Sequence, residues 1–166
     1  MNPIHAIVGL PLVSAAVLAL VPGYRLAAWL NVAASAATLA ASLFLFAVEP
    51  AADALFVVDA LNIYLIVLTC FVGLTTSVFS ATYIGHELRV GKLTPRNLRF
   101  YHGMYQAFMF TMLLALSANN LGVMWVAVEG ATLTTVLMVS LYRTAESIEA
   151  AWKYFILCGV GIALAL

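Results

Sequence analysis

The stretch NNLGVMWVAVEGATLTTVLMVSLY, residues 119–142, decides the fold, because it is an apolar run of membrane length with one carboxylate near its middle. At a helical rise of about 1.5 Å per residue, Glu129 lies roughly 12 Å in from Leu121, close to the centre of a hydrocarbon core about 30 Å thick. An ionisable group at that depth is costly and usually faces a protein interior or a water-filled cavity. The stretch therefore predicts a transmembrane helix whose carboxylate faces other protein groups or water.

Gly122, Trp125, Thr132 and Ser140 fall on the same helical face as Glu129, within roughly 60° of it, and give this face a small and polar stripe. Two interpretations of this face are open. The carboxylate either handles protons or ions, with Thr132 and Ser140 as polar steps of a pathway, or it only ties neighbouring helices together.

The composition places the whole chain in a membrane. Of 166 residues, 65% are hydrophobic and 8% are charged, with a mean hydropathy of +1.08, whereas soluble domains average about 25% charged residues. The net charge of zero and the lack of a basic tract argue against a nucleic-acid partner. Cys70 and Cys158 both lie in apolar runs, and no metal-ligand spacing or Gly-rich phosphate loop occurs. We therefore expect no metal, no cofactor and no redox centre in this chain.

Six apolar runs predict an all-α, polytopic bundle of about six transmembrane helices that forms one domain over residues 1–166. In the second run, Ala33, Ala37 and Ala41 follow at four-residue spacing, which predicts close helix packing along that face. The predicted helices cover residues 4–21, 26–48, 59–84, 101–118, 121–142 and 148–166.

The charges support this count. With six helices, the 1–2, 3–4 and 5–6 connections share one side and hold six of the seven basic residues; the opposite side holds Glu49 and Asp53. The positive-inside rule then predicts an external N-terminus and a basic cytoplasmic loop at 85–103. The six basic residues are Arg25, Arg89, Lys92, Arg96, Arg99 and Arg143.

Four further polar residues each allow two interpretations. Asp59 either caps the third helix or marks the mouth of a pathway. His102, like Gln106, either lies at the membrane interface or belongs to a pathway. Lys153 either snorkels to the interface or takes part in transport. A mid-membrane carboxylate near a lysine suits a proton relay, because a change in their separation changes their proton affinities.

Two segments carry a family resemblance. The run RFYHGMYQAFMFTMLLALSANNLGVMWVAVEGATLTTVLMVSLYR (99–143) and the run SIEAAWKYFILCGVGIALAL (147–166) resemble the antiporter-like membrane subunits. That family includes subunits of respiratory complex I, multisubunit Na+/H+ antiporters and membrane-bound hydrogenases. The run NNLGVMWVAVE is similar to the hydrogenase-4 component F branch, and the upstream pieces VVDALNIY and FSATYIGHE fit the same family.

The resemblance implies proton relay through a central line of charged residues, with the family's glutamate at Glu129 and its sixth-helix lysine at Lys153. It also implies other membrane subunits as partners, protons as the transported ion, and a bacterial inner membrane. One departure is that Val128, rather than Trp, precedes the glutamate. A larger one is that the family has about fourteen helices, so we expect this sequence to be an N-terminal portion. A Na+/H+ antiporter subunit and a structural membrane module without transport are the alternatives.

Overall fold

The computed structural model describes residues 3–48, 50–89 and 94–165, and it confirms the predicted all-α membrane bundle. Within these ranges the only β pairing is an isolated bridge between Phe56 and Ala118. Short 3-10 turns, Phe44–Phe46 and Ser140–Tyr142, continue the second and fifth helices. The α-helices are α1 Pro3–Leu20, α2 Tyr24–Leu43, α3 Ala60–Arg89, α4 Pro95–Ser117, α5 Leu121–Val139 and α6 Ala145–Leu164.

Both helices that flank the predicted loop 85–103 extend into it. Helix α3 continues to Arg89, and α4 begins at Pro95. The early start of α4 has a local cause: the Thr94 hydroxyl accepts a hydrogen bond from the Asn97 amide, and proline suits the first helical position. Lys92 of the predicted basic loop, Glu49 of the predicted acidic side and the last helix residue, Leu166, lie outside the described residues.

The other end of the bundle is closed by the 50–59 connection. The Asn119 amide donates to the Leu55 carbonyl at 2.8 Å, and the Asn119 side chain donates to the Asp53 carbonyl at 2.8 Å. His5 Nε2, near the start of α1, lies 3.2 Å from Asp53 Oδ2. The start of α1 and the 2–3 and 4–5 connections therefore meet at one end, as an up-and-down order of helices requires.

Asp53 organises that connection through its carboxylate. Its Oδ1 accepts hydrogen bonds from the amides of Phe56 and Leu55, each at 2.8 Å. These two bonds, followed by the charge of His5, hold the pKa of the Asp53 carboxyl below its usual range. The connection is thus a folded turn rather than a simple loop.

Five helices are long and apolar enough to cross a membrane, and among the described helices α4 is the exception. Its first half carries Arg99, His102 and Gln106, which lower its hydropathy. The fold explains how such a helix is accommodated, because α4 packs against α1, α2, α3 and α5. His102 and Gln106 are 0% and 1% exposed. Their polar atoms therefore face protein and not lipid.

The buried face of α2 is polar, and the predicted alanine face is not the packed one. Ala33 and Ala37 are exposed, and Ala41 is half-buried. An alanine side chain can face lipid without cost, whereas an amide or hydroxyl there would lack hydrogen-bond partners, so the helix turns its polar side inward. The buried residues of α2 are Ala27, Ala28, Asn31, Ser35, Thr38 and Ser42.

Candidate functional site

Glu129 lies at the middle of α5, half-buried, on the side that faces α6. Helix α5 is held on its other side by α4, where a Cβ at Gly130 would lie only 2.9 Å from Thr111 Cγ2. This close approach requires glycine and fixes the rotation of α5. The Glu129 carboxylate is thereby directed at α6, with Oε1 3.9 Å from the position that a Cβ would occupy at Gly159.

The carboxylate has no protein partner in the part of the chain that the structure describes: no hydrogen bond or ion pair joins Glu129 to another described residue. One helical turn earlier, the Trp125 indole donates a hydrogen bond of 3.2 Å to the Ile162 carbonyl of α6. This bond ties the two helices together at the level just beyond the carboxylate. The tie between α5 and α6 is therefore made by Trp125, which leaves the Glu129 carboxylate free for other chemistry.

Lys153 is not brought to Glu129. Its ammonium pairs with Glu149 on the same helix, and both side chains are largely exposed, at 69% and 65%. Gly159, which faces the carboxylate, comes six residues after Lys153, so the two positions differ by about 9 Å along α6 and about 120° around it. Any exchange of a proton between Glu129 and Lys153 would therefore need an intermediate group or water.

The hydroxyl groups predicted as pathway steps are bonded within their own helix. Thr132 is buried, and its Oγ1 donates to the Val128 carbonyl at 3.2 Å. Ser140 Oγ donates to the Leu137 carbonyl at 3.0 Å and lines a cleft of about 240 Å³ between the ends of α5 and α6. Each hydroxyl keeps its oxygen as an acceptor, so the two remain able to contact water or a passing proton carrier.

Asp59 is the N-cap of α3. Its Oδ1 accepts a hydrogen bond of 2.7 Å from the Asn62 amide, and its carbonyl accepts one from Ile63. The side chain is exposed at the end of the bundle. The capping interpretation is the one that this geometry supports.

His102 and Gln106, predicted at the interface or in a pathway, both have side chains buried inside the bundle, and Gln106 contacts α2. Gln106 Nε2 donates to Asn31 Oδ1 at 2.8 Å and lies 3.0 Å from Ser35 Oγ. Asn31 and Ser35 were not among the predicted site residues. The sequence does contain a pattern that predicts them, because polar residues recur along α2 at helical spacing, every third or fourth position.

The described residues contain no group of three His, Cys, Asp or Glu side chains that could hold a metal ion.

No family model matches the chain. It is 53% identical to the hydrogenase-4 component F homolog of Methylacidiphilum infernorum over 161 residues, which are 97% of this chain and 34% of that protein. It is 35% identical to NADH-quinone oxidoreductase subunit L of Buchnera aphidicola over 107 residues, 64% of this chain and 16% of that protein. The chain belongs with the antiporter-like membrane subunits.

The resemblance noted in the sequence is thus confirmed by two relatives of different complexes. The chain spans about a third of the length of the first relative and about a sixth of the second. Its apolar helices and these relatives make it a multi-pass membrane protein of the hydrogenase-4 F or subunit L type.

Proposed function

We propose that this antiporter-like chain takes part in proton translocation by a redox-driven complex, with Glu129 as a proton carrier. The observation that carries the proposal is the placement of Glu129: a half-buried carboxylate at mid-membrane depth, directed at α6 and unpaired among the described residues. The redox centres would lie on other subunits. The proposed setting is a bacterial inner membrane with the N-terminus outside.

The physical argument rests on the cost of charge at that depth. A carboxylate near the bilayer centre costs a few kcal/mol when ionised. Because no described side chain compensates the charge of Glu129, its protonation state depends on what reaches it from α6, from water or from another subunit. A group with these properties can hold a proton while its surroundings are dry and without a cation, and it can release that proton to water when a cation pairs with it.

Lys153 enters the proposal as a second relay group at some distance from the first. Lys153 Nζ contacts the Glu149 carboxylate, and both side chains are mostly exposed. A neighbouring subunit or helix that covered this face of α6 would desolvate the pair, and Lys153 could then exchange a proton. Thr132, on α5 between the two levels, supplies a hydroxyl oxygen for an intervening chain of water, and Ser140 supplies another beyond the level of Lys153.

The experiment is Glu129→Gln in the complex that contains this chain, because glutamine keeps the size and polarity of the side chain but cannot carry a proton. We expect electron transfer to continue and most of the proton translocation to be lost. The matched control is Glu146→Gln, which changes an exposed glutamate in the first turn of α6. It should leave translocation unchanged.

Proton translocation that survives Glu129→Gln at the level of the control would refute the assignment. Lys153→Met should also reduce translocation if the second relay group is correct. Measurements on membrane vesicles that contain the complex also show which ion is transported. Sodium-dependent pH change without an electron donor would indicate a Na+/H+ antiporter, whereas loss of assembly alone in both variants would indicate a structural module.

A further inference from the structure

A second polar site lies inside the bundle, on the α2–α4 interface. Gln106 of α4 is its centre: the Nε2 group has three oxygen atoms within hydrogen-bonding distance, namely Asn31 O at 3.2 Å, Asn31 Oδ1 at 2.8 Å and Ser35 Oγ at 3.0 Å. His102 lies one helical turn before Gln106 on the same face of α4, so the two side chains are neighbours. All four side chains are at most 3% exposed.

The hydrogen-bonding capacity of this site is not met by the described protein atoms. Asn31 Nδ2, Gln106 Oε1 and both ring nitrogens of His102 are buried and have no hydrogen-bond partner among the described residues. Rotating the Asn31 amide by 180° only exchanges its unpaired nitrogen for an unpaired oxygen, rotating the Gln106 amide does the reverse, and neither rotation changes the imidazole. A neutral imidazole needs one acceptor and one donor, so protein atoms alone do not satisfy this site.

Buried polar groups in native proteins are almost always hydrogen-bonded to protein or to ordered water. An unsatisfied buried group destabilises the folded state, and four such atoms would be a large cost for one helix pair. The surroundings of the site are small: Ala27 and Ala28 are buried on α2, and Gly103 follows His102 and faces Ala15 and Ala19 of α1. Small side chains and several convergent polar atoms are the setting in which buried water is found.

We infer that His102, Gln106, Asn31 and Ser35 form an internal water-binding site. Water molecules there donate to and accept from the imidazole and complete the bonds of the two amides. The site is separate from Glu129. On α4, Thr111 contacts α5, and at 100° per residue it lies about 180° around the helix from His102. The inference therefore does not depend on proton transfer by Glu129, and either can fail alone.

The test is transfer of magnetisation from water to the histidine ring nitrogens, measured by solid-state NMR on the whole chain in lipid bilayers with 15N-labelled histidine. The NMR signal of His102 is assigned by its absence from the spectrum of a His102→Gln sample. His5, whose side chain is 47% exposed, is the wet reference. The methyl groups of Leu113, a fully buried core residue, are the dry reference.

We expect His102 to receive magnetisation from water on the timescale of His5 and well before Leu113. Gln106→Leu should remove or strongly slow the transfer to His102, because it deletes the amide that shares the water. Thr111→Val, on the opposite face of α4, should leave the transfer unchanged.

Absence of transfer to His102 in the unmodified chain, while His5 responds, would overturn the inference even if Gln106→Leu failed to fold. Transfer that is equally fast in folded Gln106→Leu would also contradict it, since the water would then not be held by this cluster.

Discussion

Replacement of Gly130 by alanine tests the contact that sets the direction of Glu129. A methyl group at this position would lie 2.9 Å from Thr111 Cγ2, closer than carbon atoms approach in folded proteins, and 3.7 Å from Thr111 Cβ. Either α5 moves away from α4 or the threonine changes its conformation. Rotation of the Thr111 side chain would break a hydrogen bond, because its hydroxyl donates to the Phe108 carbonyl at 2.9 Å.

The expected magnitude is the sum of two opposing effects. Alanine is a better helix former than glycine by about 1 kcal/mol, and overpacking costs about 1–3 kcal/mol. Gly130→Ala should therefore lower the free energy of unfolding by up to about 2 kcal/mol. At Gly161 no described atom lies within 4 Å of a new Cβ, so Gly161→Ala should be neutral or stabilising.

A double-mutant cycle separates the steric effect from other causes. Thr111→Ser deletes Cγ2 and keeps the hydroxyl, which leaves only an ordinary contact at 3.7 Å. We expect Thr111→Ser to restore most of the stability lost in Gly130→Ala, with a coupling energy of about 1–3 kcal/mol. The assay is equilibrium unfolding in mixed detergent micelles followed by helical circular dichroism. The reasoning fails if Gly130→Ala is as stable as Gly161→Ala, or if Thr111→Ser has the same effect in both backgrounds.

Two further predictions concern the end of the bundle that holds the 50–59 connection. Asp59→Ala should lower the free energy of unfolding by about 1 kcal/mol, because the cap on the Asn62 amide is lost, whereas Asp59→Asn should be nearly neutral. A transport defect in an Asp59→Asn variant of unchanged stability would instead favour the pathway role. The pKa of Asp53 is lowered by the amides of Phe56 and Leu55, so its stabilising effect is complete above about pH 4 and is lost as the pH falls through the lower pKa of the folded state. A 13C carboxyl titration should show this midpoint below that of an unfolded aspartate, and a midpoint at the ordinary value would contradict the assigned hydrogen bonds.

The predicted fold followed from elementary physical chemistry. A hydrocarbon core admits helices whose backbone groups bond internally, so apolar runs of membrane length could be identified as spans without any contact information. Glu129 could be identified for the same reason, because a carboxylate in such a run is conspicuous. The polar first half of α4 was assigned to a loop and to the interface, because composition does not show that a helix is surrounded by other helices.

The partners of the polar residues could not be read from the sequence. Glu129 and Lys153 lie on consecutive helices, and this proximity in sequence suggested a pair. The structure places Gly159 opposite the carboxylate instead, because the Gly130–Thr111 contact and the Trp125–Ile162 hydrogen bond set the rotation and register of α5 against its neighbours. The rotation and register of α5 thus depend on side chains from three helices at once.

The sequence by itself determined the membrane class of this protein, its six helices and the carboxylate at mid-membrane depth, since each depends on the cost of leaving water and on helical rise alone. Only the tertiary structure decided that α2 packs through Asn31 and Ser35 rather than through Ala33 and Ala37, and that His102 lies inside the bundle. The physical reason is that hydropathy fixes which residues enter the membrane, while helix packing decides which of them face protein and which face lipid.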